Sequence, residues 1–300
     1  MLKRVDLHTH STISDGTYTP EELMEYAAEK GLSAIALTDH DTTDGLERAA
    51  KHIKEKNLEL ELVPGIEISS LYNLDDETLS ASESLGFTGK YRQRTKEIHV
   101  VGLFIDYHDD KLQDRLKEFK TLRTERNNEM CKRLTEAGMP VSYEILQSEN
   151  RGAVITRAHY AKYLLKKGYI KNISEAFEKY IGEGCPCFVP KKTANPFEVC
   201  KIILEARGVP VLAHPLLYRF NEKELRTLIT GMKEAGLIGI EALYATYSLE
   251  EERFVKKLAS EYDLKISGGS DFHGANKAQD LGTGFGNLFI PQDVLEKLRK

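Results

Sequence analysis

Six times in this chain a short apolar run ends in a hydrophilic cluster bearing histidine or acid, and that recurrence limits the fold more than any other feature. The clusters are Asp6-Leu7-His8-Thr9-His10, followed by Asp15, then Thr38-Asp39-His40-Asp41, Gly65-Ile66-Glu67, Ile98-His99, Ala213-His214-Pro215 and Ser270-Asp271-Phe272-His273. In an extended segment alternate side chains share a face, so His8 and His10 emerge together and could grip one ion. For that pair alone the plain alternative is two solvated or packed histidines. Six such clusters at the ends of strands call instead for an architecture that delivers every strand end to a common rim, as a barrel does.

The stretches between the clusters alternate strand and helix. Thr19-Pro20-Glu21-Glu22-Leu23 starts a helix, with a Thr cap, Pro at the first position and acids in the first turn. Strands are expected at residues 34–38, 58–63, 97–104, 209–213, 239–243 and 265–269, and helices at 44–56, 222–235 and 249–262. With the opening strand this makes seven strands, near residues 5, 36, 61, 100, 211, 241 and 267. Such alternation implies parallel strands with helical crossovers, in an open sheet or a barrel. An open sheet gathers a site only around its switch point, whereas here nearly every strand contributes a candidate, so the expected class is α/β, a distorted (β/α)7 barrel of TIM-like type. Residues 1–106 and 207–300 are assigned to the barrel. Residues 107–206 are assigned to an inserted helical subdomain, where Leu112, Leu116, Phe119, Leu122, Met130, Leu134, Ala161 and Leu164 keep helical spacing. Residues 71–97 break the rhythm as a long loop or hairpin excursion, read either as a lid or as a tolerated surface insertion.

Charge and composition exclude several functions. A net charge of -5 and a pI near 6.0 give no global basic field for long nucleic acid, although a local basic channel stays open. Lys3, Arg4 and Asp6 interrupt any signal peptide, and no apolar run approaches the roughly 18 to 20 residues of a membrane span, so a cytoplasmic chain without membrane contact is expected. No obligate protein partner is evident. Cys131, Cys185, Cys187 and Cys200 do not form a disulfide framework, and Cys185-Pro186-Cys187 without companions reads as small core residues rather than a redox or metal motif. The glycines at 268–269 and 282–286 lack the strand-turn-helix context of a dinucleotide site. His52 and His108 read as surface residues.

Nine groups remain as candidate ligands: His8, His10, Asp15, His40, Glu67, His99, His214, Asp271 and His273. Imidazole and carboxylate without thiolate suit Mn, Zn or Fe(II), and the set is too rich in nitrogen for Mg or Ca. At three or four ligands per catalytic ion, nine serve two or three divalent transition metals if a carboxylate such as Glu67 bridges. Adjacent cations lower the pKa of a shared water toward neutrality, and their open positions accept phosphoryl oxygens, so phosphate-ester hydrolysis by a metal-activated hydroxide is the natural chemistry. In the insert, Thr156-Arg157-Ala158-His159 lies at a helix start, where backbone N–H groups favour anions.

In order and context these motifs resemble the PHP (polymerase and histidinol phosphatase) family over almost the whole chain. More narrowly, Thr156-Arg157-Ala158-His159 and the stretch from Tyr180 through Pro190-Lys191 resemble the branch containing 3′,5′-nucleoside bisphosphate phosphatases and the 5′-to-3′ exoribonuclease RNase AM. The resemblance implies a seven-stranded barrel with a trinuclear centre in which Mn is the first choice and Zn or Fe the alternatives. One ion would be held by His8, His10, Glu67 and Asp271, a second by Glu67, His99 and His214, and a third by Asp15, His40 and His273. Asp15, His40, Glu67, His214 and His273 would also serve catalysis, while Arg157, His159 and Lys191 would bind the phosphate that is not cleaved. Position 15 is Asp where several PHP proteins carry His. The implied substrate is a small phosphorylated nucleotide, first the 3′-phosphate of a nucleoside 3′,5′-bisphosphate. The alternatives are short RNA degraded from its 5′ end, histidinol phosphate, and outside catalysis an accessory metal-binding module. RNA would call for stacking aromatics, which Tyr91, Tyr160, Tyr163 and Tyr169 could supply unless they are core.

Overall fold

The computed structural model describes residues 3–74, 95–150, 154–190 and 192–300. The chain divides into two compact units, Met1–Asp114 with Ala194–Lys300, and Arg115–Thr193.

The first unit holds seven strands: β1 (Val5–Thr9), β2 (Ala34–Leu37), β3 (Glu61–Asn73), β4 (Thr95–Leu103), β5 (Val209–Leu212), β6 (Gly239–Tyr244) and β7 (Lys265–Gly269). Each is hydrogen-bonded to the next in chain order. The end of β7 returns to β1, with Asp271 N–H donating to His8 O and His10 N–H to Phe272 O at 2.9 Å each, and the sheet curls into the expected distorted barrel. That closure requires bare backbone at Gly269, where a Cβ would stand 2.2 Å from His8 Cβ. One core cluster gathers Val5, Ala34, Ala36, Val63, Val101 and Val211 from five strands with Val294, Leu295 and Leu298 of the last helix. Burial on this scale, at roughly 25 cal/mol per Å² of apolar surface, is what makes the rim above it rigid.

The barrel helices are α1 (Pro20–Glu29) and α2 (Leu46–Lys56). The strand direction departs from the expected pattern. Alternation predicts parallel strands throughout, but β4 pairs antiparallel with both β3 and β5. β3 itself runs on past Pro64-Gly65: residues 61–64 pair parallel with β2, and residues 65–73 pair antiparallel with β4. The physical reason is that an apolar run has the same side-chain period read in either direction, so it carries no polarity. The ends of the 71–97 excursion belong to this ladder, through Leu71↔Glu97, Tyr72↔Lys96 and Asn73↔Thr95. Residues 75–94, with Tyr91, lie outside the described residues.

The second unit is helical. It takes up α3 (Asp110–Glu136) from Arg115 onward, then α4 (Tyr143–Glu149), α5 (Arg157–Lys166) and α6 (Ile173–Ala176), which passes into a π-helical turn at Phe177–Ile181. Its own core centres on Met130, Leu134, Tyr160, Leu164 and Ile181. The division falls inside α3 and before Ala194, not at 106 and 207. Gln113 explains the first shift, because its Nε2 donates to Thr43 Oγ1 at 2.9 Å and to Tyr107 O at 2.7 Å in the barrel unit. The second follows from α7 (Pro196–Glu205), which rests on β3, β4 and β5 with Val199 and Ile203 fully buried. Two further helices cover the barrel, α8 (Glu222–Glu234) and α9 (Leu249–Glu261), and α10 (Gln292–Arg299) ends the chain.

Of the tyrosines offered for stacking, two are core. Tyr160 is fully buried, its hydroxyl donating to Asn127 O at 2.9 Å, and Tyr163 is buried as well, while Tyr169 is exposed. Cys187 joins the same core and all four cysteines are free thiols. Among the described residues no helix is long and apolar enough to cross a membrane.

Candidate metal centre

All nine candidate ligands converge at one end of the barrel, and Glu67 is their hub. Its Oε2 lies 3.2 Å from His8 Nε2, 3.2 Å from His10 Nε2 and 3.1 Å from His40 Nδ1. Its Oε1 lies 2.9 Å from His99 Nδ1 and 3.1 Å from His214 Nε2. Asp271 Oδ1 faces His8, His10 and His273 at 3.3 to 3.6 Å, and Asp15 Oδ1 stands 3.1 Å from His273 Nε2. Four overlapping groups have donor atoms within 4.8 Å of one another: His10, Asp15, His40 and His273; His8, Glu67 and His214; His8, His10 and Asp271; and His40, Glu67 and His99.

His99 arrives by a route that strand counting does not anticipate. β4 is reversed, so His99 reaches the rim from the middle of its strand and not from a C-terminal end. Glu67 likewise sits within β3, just beyond the point where that strand changes partner. Two of the nine candidates have positive φ, His214 at 27° and Asp271 at 53°. A non-glycine residue there costs on the order of 1 to 3 kcal/mol and persists where packing over-determines it, commonly at a functional site.

Burial and charge identify what the cluster can do. Six buried polar atoms of these nine residues have no hydrogen-bond partner among the described residues: His8 Nε2, His10 Nε2, His40 Nδ1, Glu67 Oε2, Asp15 Oδ1 and His214 Nδ1. The first five lie 3 to 4 Å from neighbouring donors or acceptors without alignment toward them, which fits lone pairs aimed at a shared electrophile better than at one another. Such a set could hold more than one divalent ion. Protons reveal the same strain. Burial opposes a charged ring, yet Asp271 and Glu67 carry His10 up to about 9, and Glu67 with Glu97 carries His99 up to about 10. At His40 burial wins and the ring falls to about 3. Glu67 and Asp271 are held well below the carboxylate range, where the surrounding histidines overcome the cost of burial.

The supporting groups are the part that sequence patterning does not single out. Glu241 Oε1 pairs with His8 Nδ1 at 3.0 Å while its Oε2 accepts from the His214 N–H at 2.7 Å. Asp39 accepts from Ser11 and Ser14 hydroxyls at 2.7 and 2.5 Å, fixing the loop behind His10. Asp6 accepts from the Ser270 and Gly282 N–H groups at 2.9 and 2.8 Å, and burial pushes it up to about 6. Orientation of a ligand's other nitrogen by a carboxylate sets its tautomer, so these groups matter to the site nearly as much as the ligands do. The available signal is a lone acid inside an apolar strand, as in Ile240-Glu241-Ala242-Leu243 and Val5-Asp6-Leu7.

Three candidates fall in the helical unit. Thr156 caps α5 as expected, with Arg157 as its first residue. His159 Nδ1 accepts from the Thr156 N–H at 3.0 Å, so this ring works as a helix cap. The Arg157 guanidinium lies over the Phe188 ring, 5.7 Å from its centroid. Lys191 lies outside the described residues. His108 is exposed as expected, but His52 is half-buried and pairs with Glu25 at 2.9 Å, tying α2 to α1.

Comparison with known proteins adds an independent line. Residues 6–183 match the PHP domain family. A 5′-3′ exoribonuclease of Haemophilus influenzae is 36% identical over 273 residues, covering 91% of either chain. A 3′,5′-nucleoside bisphosphate phosphatase of Chromobacterium violaceum is 30% identical over 283 residues, covering 94% of this chain and 91% of its own. Among solved structures, one described as a candidate metal-dependent phosphoesterase of Bifidobacterium adolescentis superposes with a TM-score of 0.77 at 25% identity, over 99% of this chain and 95% of its own.

Proposed function

The chain belongs to the PHP domain family and is a metal-dependent phosphoesterase, and on that premise we propose that it cleaves the 3′-oxygen to phosphorus bond of a nucleoside 5′-phosphate. That one bond describes two substrates. In a nucleoside 3′,5′-bisphosphate it joins the terminal 3′-phosphate. In a short 5′-phosphorylated RNA it joins the first nucleotide to the second.

The observation that carries the nucleotide reading is the separation of charge between the units. Residues 115–193 contain sixteen Lys and Arg against nine Glu and no Asp, a net of +7 in a chain whose net charge is -5. A surface of that sign suits a ligand with more than one phosphate. Histidinol phosphate, which carries a cationic amine, has no use for it. The bisphosphate is the minimal substrate, and RNA is the second reading, favoured by the extent of positive charge and by the exoribonuclease relative. In this reading Arg157, His159 and Lys191 take the 5′-phosphate that is not cleaved.

Two or three divalent ions, Mn first with Zn or Fe as alternatives, would be held by His8, His10, Glu67 and Asp271, by Glu67, His99 and His214, and by Asp15, His40 and His273. When bound, they supply positive charge against the phosphoryl oxygens and bring the pKa of water toward neutrality. The protein's part is orientation. Glu67 gathers five imidazoles, Glu241 fixes the tautomer of His8, and the Asp271 carbonyl, 2.8 Å from His273 Nδ1, fixes that of His273.

The test is a substrate panel with Mn: adenosine 3′,5′-bisphosphate, 3′-AMP, RNA oligomers with and without a 5′-phosphate, and histidinol phosphate. Hydrolysis of the bisphosphate and of 5′-phosphorylated RNA, with the forms lacking a 5′-phosphate much slower, is expected. Preference for histidinol phosphate, or indifference to the 5′-phosphate, would refute the reading.

A further inference from the structure

The turn that follows His273 reaches both of the outer acids of the centre. Lys277 Nζ lies 2.6 Å from Asp271 Oδ2, and the Tyr244 hydroxyl donates to the same oxygen at 2.6 Å. Two donors on Oδ2 leave Oδ1 as the oxygen that faces His8, His10 and His273. The carboxylate torsion of Asp is otherwise broad and two-fold, and a free carboxylate could offer both oxygens to one ion or turn them over. One residue earlier, Asn276 Nδ2 donates to Asp15 O at 2.7 Å, and the Ala275 N–H donates to Thr17 Oγ1 at 2.9 Å. The approach to the Asp15 loop needs a residue without a side chain. Gly274 has φ +62°, and a Cβ there would stand 2.0 Å from Thr17 Oγ1. Four successive residues thus tie two acid-bearing loops that are more than 250 positions apart in the chain.

We propose that Gly274-Ala275-Asn276-Lys277 is a clamp that positions Asp271 and Asp15 for divalent metal, with Lys277 and Tyr244 holding Asp271 to a one-oxygen presentation. Lys277 is a positioning residue in this scheme, acting through Asp271. The inference rests on the reading that the nine residues hold metal. Two effects of removing the ammonium oppose each other, which makes the experiment decisive. Loss of a positive charge beside the site would tighten the binding of a cation, whereas loss of orientation weakens it.

The experiment is calorimetric titration of the metal-free full-length chain with Mn, for wild type, Lys277→Met, Lys277→Arg and Tyr244→Phe. Lys277→Met is expected to weaken binding by about 10 to 100-fold, the usual effect of losing a partner that orients a ligand. Lys277→Arg should restore most of it and Tyr244→Phe should show a partial loss. Lys277 is over a third exposed while its partner Asp271 is buried, so the metal-free Lys277→Met should stay folded with a modestly lowered melting temperature, and Lys277→Arg should match wild type. Binding by Lys277→Met that is unchanged or tighter would overturn the clamp alone. Wild-type protein that takes up no ion would bring down the metal reading and the clamp together.

Discussion

Glu67→Gln is the substitution that tests the construction of the centre most directly. The change is nearly isosteric and removes one charge from a fully buried carboxylate that has five imidazole nitrogens within 3.2 Å. In the metal-free protein the charged forms of His10 and His99 depend on it. His10, raised from 6.5 to about 9, represents roughly 3 kcal/mol at 1.4 kcal/mol per unit, a stabilisation shared by Asp271 and Glu67. Breaking a buried pair by removing one partner costs about 3 to 5 kcal/mol, so a loss near 3 kcal/mol is expected at pH 6. For a chain of this size that is a fall of roughly 5 to 10 °C in melting temperature. The pH dependence has a definite sign. A histidine whose folded pKa is raised contributes stability that is complete below its unfolded value and is lost as pH rises through the folded one. For His10 and His99 that loss falls at about 9 and about 10. The penalty of Glu67→Gln should therefore be largest at pH 6 and shrink toward pH 10. Scanning fluorimetry of chelator-treated protein at the two pH values measures it, and a penalty equal at both, or absent at pH 6, would refute the electrostatic account of the cluster.

Chelation should abolish turnover and Mn should restore it best, with elemental analysis finding two to three ions per chain; one ion or fewer after reconstitution would sink the multinuclear assignment. Metal binding near neutral pH should release protons, because His10 and His99 are protonated in the metal-free protein and a ligating imidazole must be neutral; calorimetry in buffers of different ionisation enthalpy counts them. His40→Ala should lower kcat strongly without lowering the melting temperature, and near-normal turnover by the folded variant would remove His40 from the centre. Arg157→Ala should reduce kcat/KM for a 3′,5′-bisphosphate by roughly 10 to 1000-fold while sparing a monophosphate, as expected for loss of a desolvated partner worth about 2 to 4 kcal/mol. Equal losses on both substrates with reduced stability would make Arg157 a structural residue that packs on Phe188.

The seven strands and the nine converging residues are legible in the sequence because both rest on strong local signals. An apolar run of four to nine residues marks a strand, and a histidine or acid at its end must be solvated, paired or ligating. Six such runs in one chain, four ending in a histidine or acid and two carrying one within the strand, as β3 carries Glu67 and β4 carries His99, leave a rim as the simplest way to collect them. Strand direction is not legible in the same way. Val100, Val101 and Leu103 would be buried whichever way β4 ran, and the reversal shows only in pairings such as Glu67↔Val101. The division between the units is hidden for a related reason, since α3 continues across it without a break in helical period.

Glu241 shows how far a residue-by-residue reading could have gone. It stands between Ile240 and Ala242, both fully buried, and is itself 2% exposed. An isolated ionised carboxylate in such surroundings carries a desolvation cost of several kcal/mol, which only a partner or a proton can offset. Lysine or arginine could supply that partner in a structural role, but β6 and its neighbours β5 and β7 place none beside it along the paired register except Lys265 at the strand entrance. What remains is a partner delivered from the rim, and there the structure puts His8 Nδ1 on one oxygen and the His214 N–H on the other. One buried acid thus orients two residues from strands that are not adjacent, which is why its replacement by Gln should disturb His8 and His214 together. A lone acid inside an otherwise apolar barrel strand is therefore evidence about the site above it, as much as the histidine that ends the strand.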